Sequence, residues 1–84
     1  MTTYRKVKKV IDGDTFQTHT KVNGSNFVRI ANFNAPELQQ FGGRAARDWL
    51  KNQIQNKVVT LQPVARDVYG RTVAKVRYNG RLIR

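Results

Sequence analysis

The sequence contains no cysteine, which removes disulfides, zinc thiolate sites and thiol nucleophiles together. Its single histidine, His19, leaves neither a histidine cluster for a transition metal nor the base of a serine triad. Any metal bound here is therefore hard and oxygen-liganded. Apolar runs of the roughly 18 residues that a membrane helix needs are missing. Basic residues occur near Met1, but no apolar run follows them. A signal peptide is thus not expected, and the location is expected to be cytoplasmic, although a processed secreted chain would read the same way. Acids are scarce as well, five Asp and Glu against 16 Lys and Arg.

What remains is a short, basic chain. Its 84 residues allow one domain with one modest core, and a hydrophobic share of 39% leaves few apolar side chains for other roles. The formal charge of +11 at pH 7 attracts polyanions, of which nucleic acid is the commonest. Solubility alone needs only about 2–8 units of net charge. A membrane surface is the weaker candidate, since no basic amphipathic helix with a broad apolar face is present.

Turn signals divide the chain into short strands. Val7 to Ile11 is β-rich and closes on Asp12-Gly13; Thr15 to Val22 ends at Asn23-Gly24, a strong hairpin signal. Phe27 to Phe33 reads as a third strand, stopped by Pro36. From about Gly43 to Asn56 the period changes: Ala46, Leu50 and Ile54 recur every fourth residue, with Trp49 beside them in the expected helix core. Val58 to Ala65 is strand again, with Pro63 marking an edge or bulge, followed by Thr72 to Tyr78 and an Asn79-Gly80 hairpin leading to Leu82 and Ile83. One helix between the third and fourth of five short strands suits a mainly β, closed barrel of the oligonucleotide-binding type, and closure removes exposed edges. An open sheet with a helix on one face is the alternative.

The few acids sit where strands are expected to end. Asp12 and Asp14 bracket Gly13, Glu37 follows Pro36, and Asp67 precedes Tyr69-Gly70, while Asp48 lies on the helix. Taken singly, turn chemistry accounts for Asp12, Asp14 and Asp67, and a helix-start or loop charge accounts for Glu37. Arg29 is sharper: it lies mid-strand between apolar residues, where an unpaired charge is costly, so it needs a carboxylate or a ligand.

Taken together, four stretches resemble the staphylococcal nuclease (thermonuclease) family. They are Val10-Ile11-Asp12-Gly13-Asp14-Thr15; Val28-Arg29-Ile30 through Asn34-Ala35-Pro36-Glu37; Gly43-Arg44-Ala45; and Asp67-Val68-Tyr69-Gly70-Arg71 with Thr72-Val73-Ala74. The resemblance runs from about Val7 to Ile83 and implies a five-stranded barrel with helices. It implies Arg29, Glu37 and Arg71 as catalytic residues, the arginines gripping the scissile phosphate and Glu37 activating the attacking water. Asp14, Asn34 and the Ala35 carbonyl would be the calcium ligands. Phosphodiester hydrolysis builds negative charge on phosphoryl oxygens, so planar guanidinium forks and a bound cation are the groups it calls for.

Two departures from the family pattern stand out. Asn34 occupies a position where the family usually carries an aspartate, which implies weaker calcium binding. The 84 residues also lack the family's C-terminal helices and their base-stacking tyrosines, leaving Tyr69, or else Tyr78, to contact substrate. Two readings follow. One is a calcium-dependent nuclease, expected as a monomer, acting on single-stranded DNA or RNA. The other is a catalytically weak or inactive nucleic-acid-binding barrel. Lys6, Lys8, Lys9 and Arg5 either track phosphate or simply solvate a strand end. His19 reads as an exposed strand residue.

Overall fold

A computed structural model describes residues 2–83. Strands β1 (Thr3–Asp12), β2 (Thr15–Val22) and β3 (Ser25–Ile30) precede helix α1 (Gly43–Ile54). Strands β4 (Val58–Arg66), β5 (Thr72–Tyr78) and the two-residue β6 (Arg81–Leu82) follow. The hydrogen-bonded order is β3-β2-β1-β4-β5-β6, and parallel pairing of β3 with β5 closes the first five strands into a barrel. Closure is the outcome expected of short strands with one apolar face, and it excludes the open sheet. The helix sits between the third and fourth strands, as its four-residue period requires.

Both Asn-Gly hairpins form. Asn23 and Gly24, and likewise Asn79 and Gly80, have positive φ, the backbone of the tight turn whose twist matches paired strands. Pro63 lies at a shift of register between β4 and β5, so it marks a bulge. The third strand is shorter than expected. It stops at Ile30, and Asn32, with φ 62°, turns the chain out of the sheet before Pro36 is reached.

The core fills the barrel. Val7, Val10, Phe16, Val28, Ile30, Leu61, Ala74 and Val76 are buried from the strands, and Leu50 and Ile54 close the barrel from α1. Burial of each large side chain contributes about 1.5–3 kcal/mol. Trp49 corrects the expected helix core. It is 46% exposed and lines a surface groove with Tyr78 and Leu82, because only the Leu50 and Ile54 edge of the stripe faces the barrel.

Two glycines let the loops approach α1 closely. A Cβ on Gly13 would stand 2.5 Å from the Ala35 Cβ and 2.7 Å from the Ala46 Cβ, so the Asp12–Asp14 turn is wedged between the 31–42 loop and the helix. A Cβ on Gly43 would lie 1.8 Å from the Glu37 carbonyl oxygen, which ties the same loop to the start of α1. Turn chemistry alone therefore does not explain Asp12-Gly13-Asp14. The fold needs the glycine for contact, and that contact sets where Asp14 points.

Candidate active site

The β1–β2 turn, the end of β3, the 31–42 loop and the start of β5 meet around one cavity of about 350 Å³. Asp12, Asp14, Arg29, Asn34, Ala35, Glu37, Gln40 and Arg71 line it. All three residues expected to be catalytic, and all three expected to hold calcium, thus face one space. Tyr69 is not among the lining residues. Its exposed ring lies against the Arg71 guanidinium, 5.3 Å from centroid to carbon, at the cavity's edge. Tyr78 is half-buried against the core, in the groove with Trp49, away from the cavity.

Asp14 is the hub. Its side chain is 12% exposed. The Thr15 hydroxyl donates to its Oδ1 at 3.1 Å, and the Ala35 backbone N–H donates to its Oδ2 at 3.2 Å. The Arg29 guanidinium stands 3.5 Å from Oδ2, and the same guanidinium nitrogen donates to the Asn34 amide oxygen. Arg29 thereby receives the carboxylate partner that its mid-strand position demanded, with a neutral amide as the second acceptor.

Arg71 is held differently. Its Nε donates to Asp67 Oδ2 at 2.6 Å, and its backbone N–H donates to Asp67 Oδ1 at 2.9 Å. Its Nη1 donates to the Thr15 hydroxyl at 3.1 Å. That hydroxyl, one donor with two acceptor sites, links Arg71 to Asp14. Asp67 also accepts the Tyr69 N–H at 3.0 Å, so one carboxylate shapes the turn and fixes the arginine. Asp67, expected only as a turn residue, is therefore a positioning residue. The signal available in the sequence was its spacing of four from Arg71.

The carboxyls differ in acidity. Burial raises Asp12 above the ordinary carboxylate value, and its side-chain contact and repulsion with Asp14 raise it further against the lowering effect of the Asp14 N–H. Burial pushes Asp67 up, but hydrogen bonds from the Arg71 backbone and guanidinium, the Arg71 charge and the Tyr69 N–H outweigh it, leaving the carboxyl lowered.

Glu37 is exposed at the cavity mouth. Gln40 Oε1 accepts the Glu37 backbone N–H at 2.8 Å, and the Glu37 carbonyl accepts the Gln40 N–H at 2.9 Å. Gln40 and Thr15 were absent from the expected site. The three-residue spacing of Glu37 and Gln40, a helix-start type of pairing, was the only hint of the former.

The donor types suit a hard cation: the Asp14 carboxylate and the Asn34 amide oxygen both line the cavity and share one guanidinium nitrogen as partner. Among the described residues, no three His, Cys, Asp or Glu side chains gather closely enough to hold a metal themselves. An ion here would need amide and backbone oxygens as well as carboxylate, which calcium accepts.

A family model described as staphylococcal nuclease homologue matches residues 14–84. An "Uncharacterized endonuclease" of Haemophilus influenzae is 40% identical over 73 residues, which cover 87% of this chain and 41% of that protein. An "Uncharacterized endonuclease" of Escherichia coli O157:H7 is 35% identical over 71 residues, 84% of this chain and 46% of that protein. "Probable endonuclease LCL3" of Paracoccidioides lutzii is 44% identical over 55 residues, 58% of this chain and 16% of that protein. The chain spans less than half the length of these curated relatives.

Proposed function

The chain belongs to the family of staphylococcal nuclease homologues, and on that premise we propose that its cavity hydrolyses phosphodiester bonds of DNA or RNA with the help of calcium. The observation that carries this reading is the convergence of Arg29, Glu37 and Arg71 on one space of about 350 Å³, with Asp14 and Asn34 beside them. Its lining is charged or amide-bearing throughout except for Ala35, which suits a phosphodiester group better than an apolar ligand.

In this reading a phosphate enters between the two guanidiniums. Arg71 already commits Nε to Asp67 and Nη1 to Thr15, so its remaining N–H groups point a fixed charge at the phosphoryl oxygens. Arg29 exchanges its amide contact for a phosphate oxygen, and the transferred bonds are charge-assisted and stronger. Glu37 takes a proton from a water as the water's oxygen bonds to phosphorus. The P–O bond to the leaving nucleotide breaks, and that oxygen is protonated from solvent. Asp14, Asn34 and the Ala35 carbonyl are the residues that would hold calcium, which supplies Lewis-acid polarisation of the phosphoryl group when bound. The substrate is expected to be a single strand, taken by a monomer, with Tyr69 stacking on a base beside Arg71.

One observation favours the second reading, a nucleic-acid-binding barrel with little activity. The Asn34 amide brings no charge and already serves Arg29. Losing one ligand charge weakens calcium by about ten- to a hundredfold, or roughly 1.4–2.8 kcal/mol. A cleavage assay on a single-stranded oligonucleotide, with calcium, with excess chelator and with Asn34→Asp, separates the two. The nuclease reading expects calcium-dependent cleavage that Asn34→Asp shifts to lower calcium. Cleavage unchanged by chelator contradicts the calcium role, and no cleavage by either protein at any calcium level contradicts the nuclease reading.

A further inference from the structure

A second charged concavity lies beside the first. Lys8, Lys9 and Val10 of β1 form one wall, and Arg47, Lys51 and Gln55 form the other, around a groove of about 460 Å³. Four of the six lining residues are basic and none is acidic. Asp48 stands outside it, 3.1 Å from Arg47 Nε.

The fold builds this groove through two local devices. Strand β1 carries a bulge: Val7 opposes Thr18 and Lys9 opposes Gln17, so Lys8 is the additional residue. Strict alternation would send one of two successive side chains inward, yet Lys8 and Lys9 are both exposed between the buried Val7 and Val10. Opposite them, positions 47, 51 and 55 recur every fourth residue along one face of α1, covering about 12 Å. Gln55 Oε1 accepts the Val10 backbone N–H at 3.3 Å, which ties the two walls together.

The groove and the cavity lie on either side of the Asp12–Asp14 turn and share no lining residue. Val10 leads within four residues to Asp14, and the turn between them rests on Ala46, the neighbour of Arg47. Past Asp12, which lines the cavity, the groove presents four basic side chains and no carboxylate.

We propose that the Lys8–Lys9–Lys51 groove binds the phosphate backbone of the same nucleic-acid strand that the cavity engages, as an extended site for flanking nucleotides. The proposal rests on the nuclease reading for what lies in the cavity, and on the groove's own geometry for the rest. The ligand is the sugar-phosphate chain, not the bases: amines present point charges without base-edge readout, so the site has no sequence preference. Val10 is the only apolar lining residue, which suits a wet phosphate chain better than lipid.

The test is fluorescence anisotropy on labelled dT16 and dT3 in excess chelator, from 50 to 200 mM salt. Wild type is compared with Lys8→Gln/Lys9→Gln/Lys51→Gln and with an equal-charge control, Lys21→Gln/Arg77→Gln/Arg81→Gln, at exposed positions outside both sites. Three lost phosphate contacts should weaken dT16 binding about 30- to 100-fold at 100 mM salt and lower the salt slope by about 2. The control should fall less than about threefold, and dT3 should be bound alike by all three proteins. Equal losses in groove and control variants, or an unchanged groove variant, overturn the proposal. So does a groove variant that loses binding to phosphatidylserine vesicles but keeps dT16, which would make this a membrane face. Cleavage by wild type on addition of calcium is read separately. Groove-dependent binding without any cleavage overturns the nuclease reading alone, and cleavage with groove-independent binding overturns the groove alone.

Discussion

The two walls of the cavity present the same functional group in different ways. Arg71 is clamped by a carboxylate at 2.6 Å, a hydroxyl at 3.1 Å and its own backbone bond to the same Asp67. Arg29 has a carboxylate at the longer 3.5 Å and a neutral amide from the 31–42 loop. That loop holds no regular secondary structure between Ile30 and Gly43, and it carries Asn34, Glu37 and Gln40 into the cavity. In the proposed function one wall is preorganised and the other would exchange partners on binding a phosphate. A fixed dipole costs no reorganisation at the moment of reaction, whereas an adjustable one accommodates substrate and ion.

Substitution of Arg71 should have the largest effect on the difference between the walls. Arg71→Lys removes the fork that holds Asp67 and Thr15 while addressing phosphate, and kcat/KM on a single-stranded oligonucleotide is expected to fall about 10²–10³-fold. Arg29→Lys should cost about tenfold less than that, and an equal loss at both positions would show that the walls do not differ. Asn34→Asp sharpens the loop wall. It restores a ligand charge and gives Arg29 a stronger partner, and calorimetry should show calcium affinity rising about ten- to a hundredfold. Unchanged affinity would place the ion elsewhere.

Asp67→Asn loosens the rigid wall with a smaller effect. Loss of the charge-assisted bond to Arg71 should lower stability by about 1–2 kcal/mol in urea unfolding. The pH dependence follows from the lowered Asp67 carboxyl. A group more acidic in the folded state contributes stability above its unfolded value, and that contribution is lost as pH falls through the folded value. The stability gap between wild type and Asp67→Asn should therefore persist at pH 5 and close only below the ordinary carboxylate range. A gap that closes between pH 5 and 7 would mean another group is responsible.

The sequence carried the barrel through its turns and periods. Asn23-Gly24 and Asn79-Gly80 announce hairpins because few other pairs tolerate that backbone, and Ala46, Leu50 and Ile54 announce a helix because only a 3.6-residue period aligns them. The candidate residues came from spaced motifs, and the cavity gathers all of them but Tyr69, which sits at its edge. What was not legible depends on contact between distant segments. The helical period places Trp49 beside Leu50 but does not say which edge of the stripe meets the barrel. Gly13 reads as a turn residue until Ala35 and Ala46 are seen on either side of it. Lys8 and Lys9 look like a solvated strand end because a bulge, set by pairing with Thr18 and Gln17, leaves no mark in composition. Thr15 looks like any strand threonine, although its hydroxyl joins Asp14 to Arg71.

In the proposed function Arg29, Glu37 and Arg71 surround one scissile phosphate. A paired measurement on Glu37→Gln with a single-stranded oligonucleotide, anisotropy in chelator and cleavage in calcium, isolates that arrangement. Because Glu37 is exposed and is assigned only the proton of the attacking water, binding should stay within about threefold of wild type while the cleavage rate falls by about 10²–10⁴. Cleavage at the wild-type rate by Glu37→Gln would contradict the assignment and the cavity's claim to the chemistry.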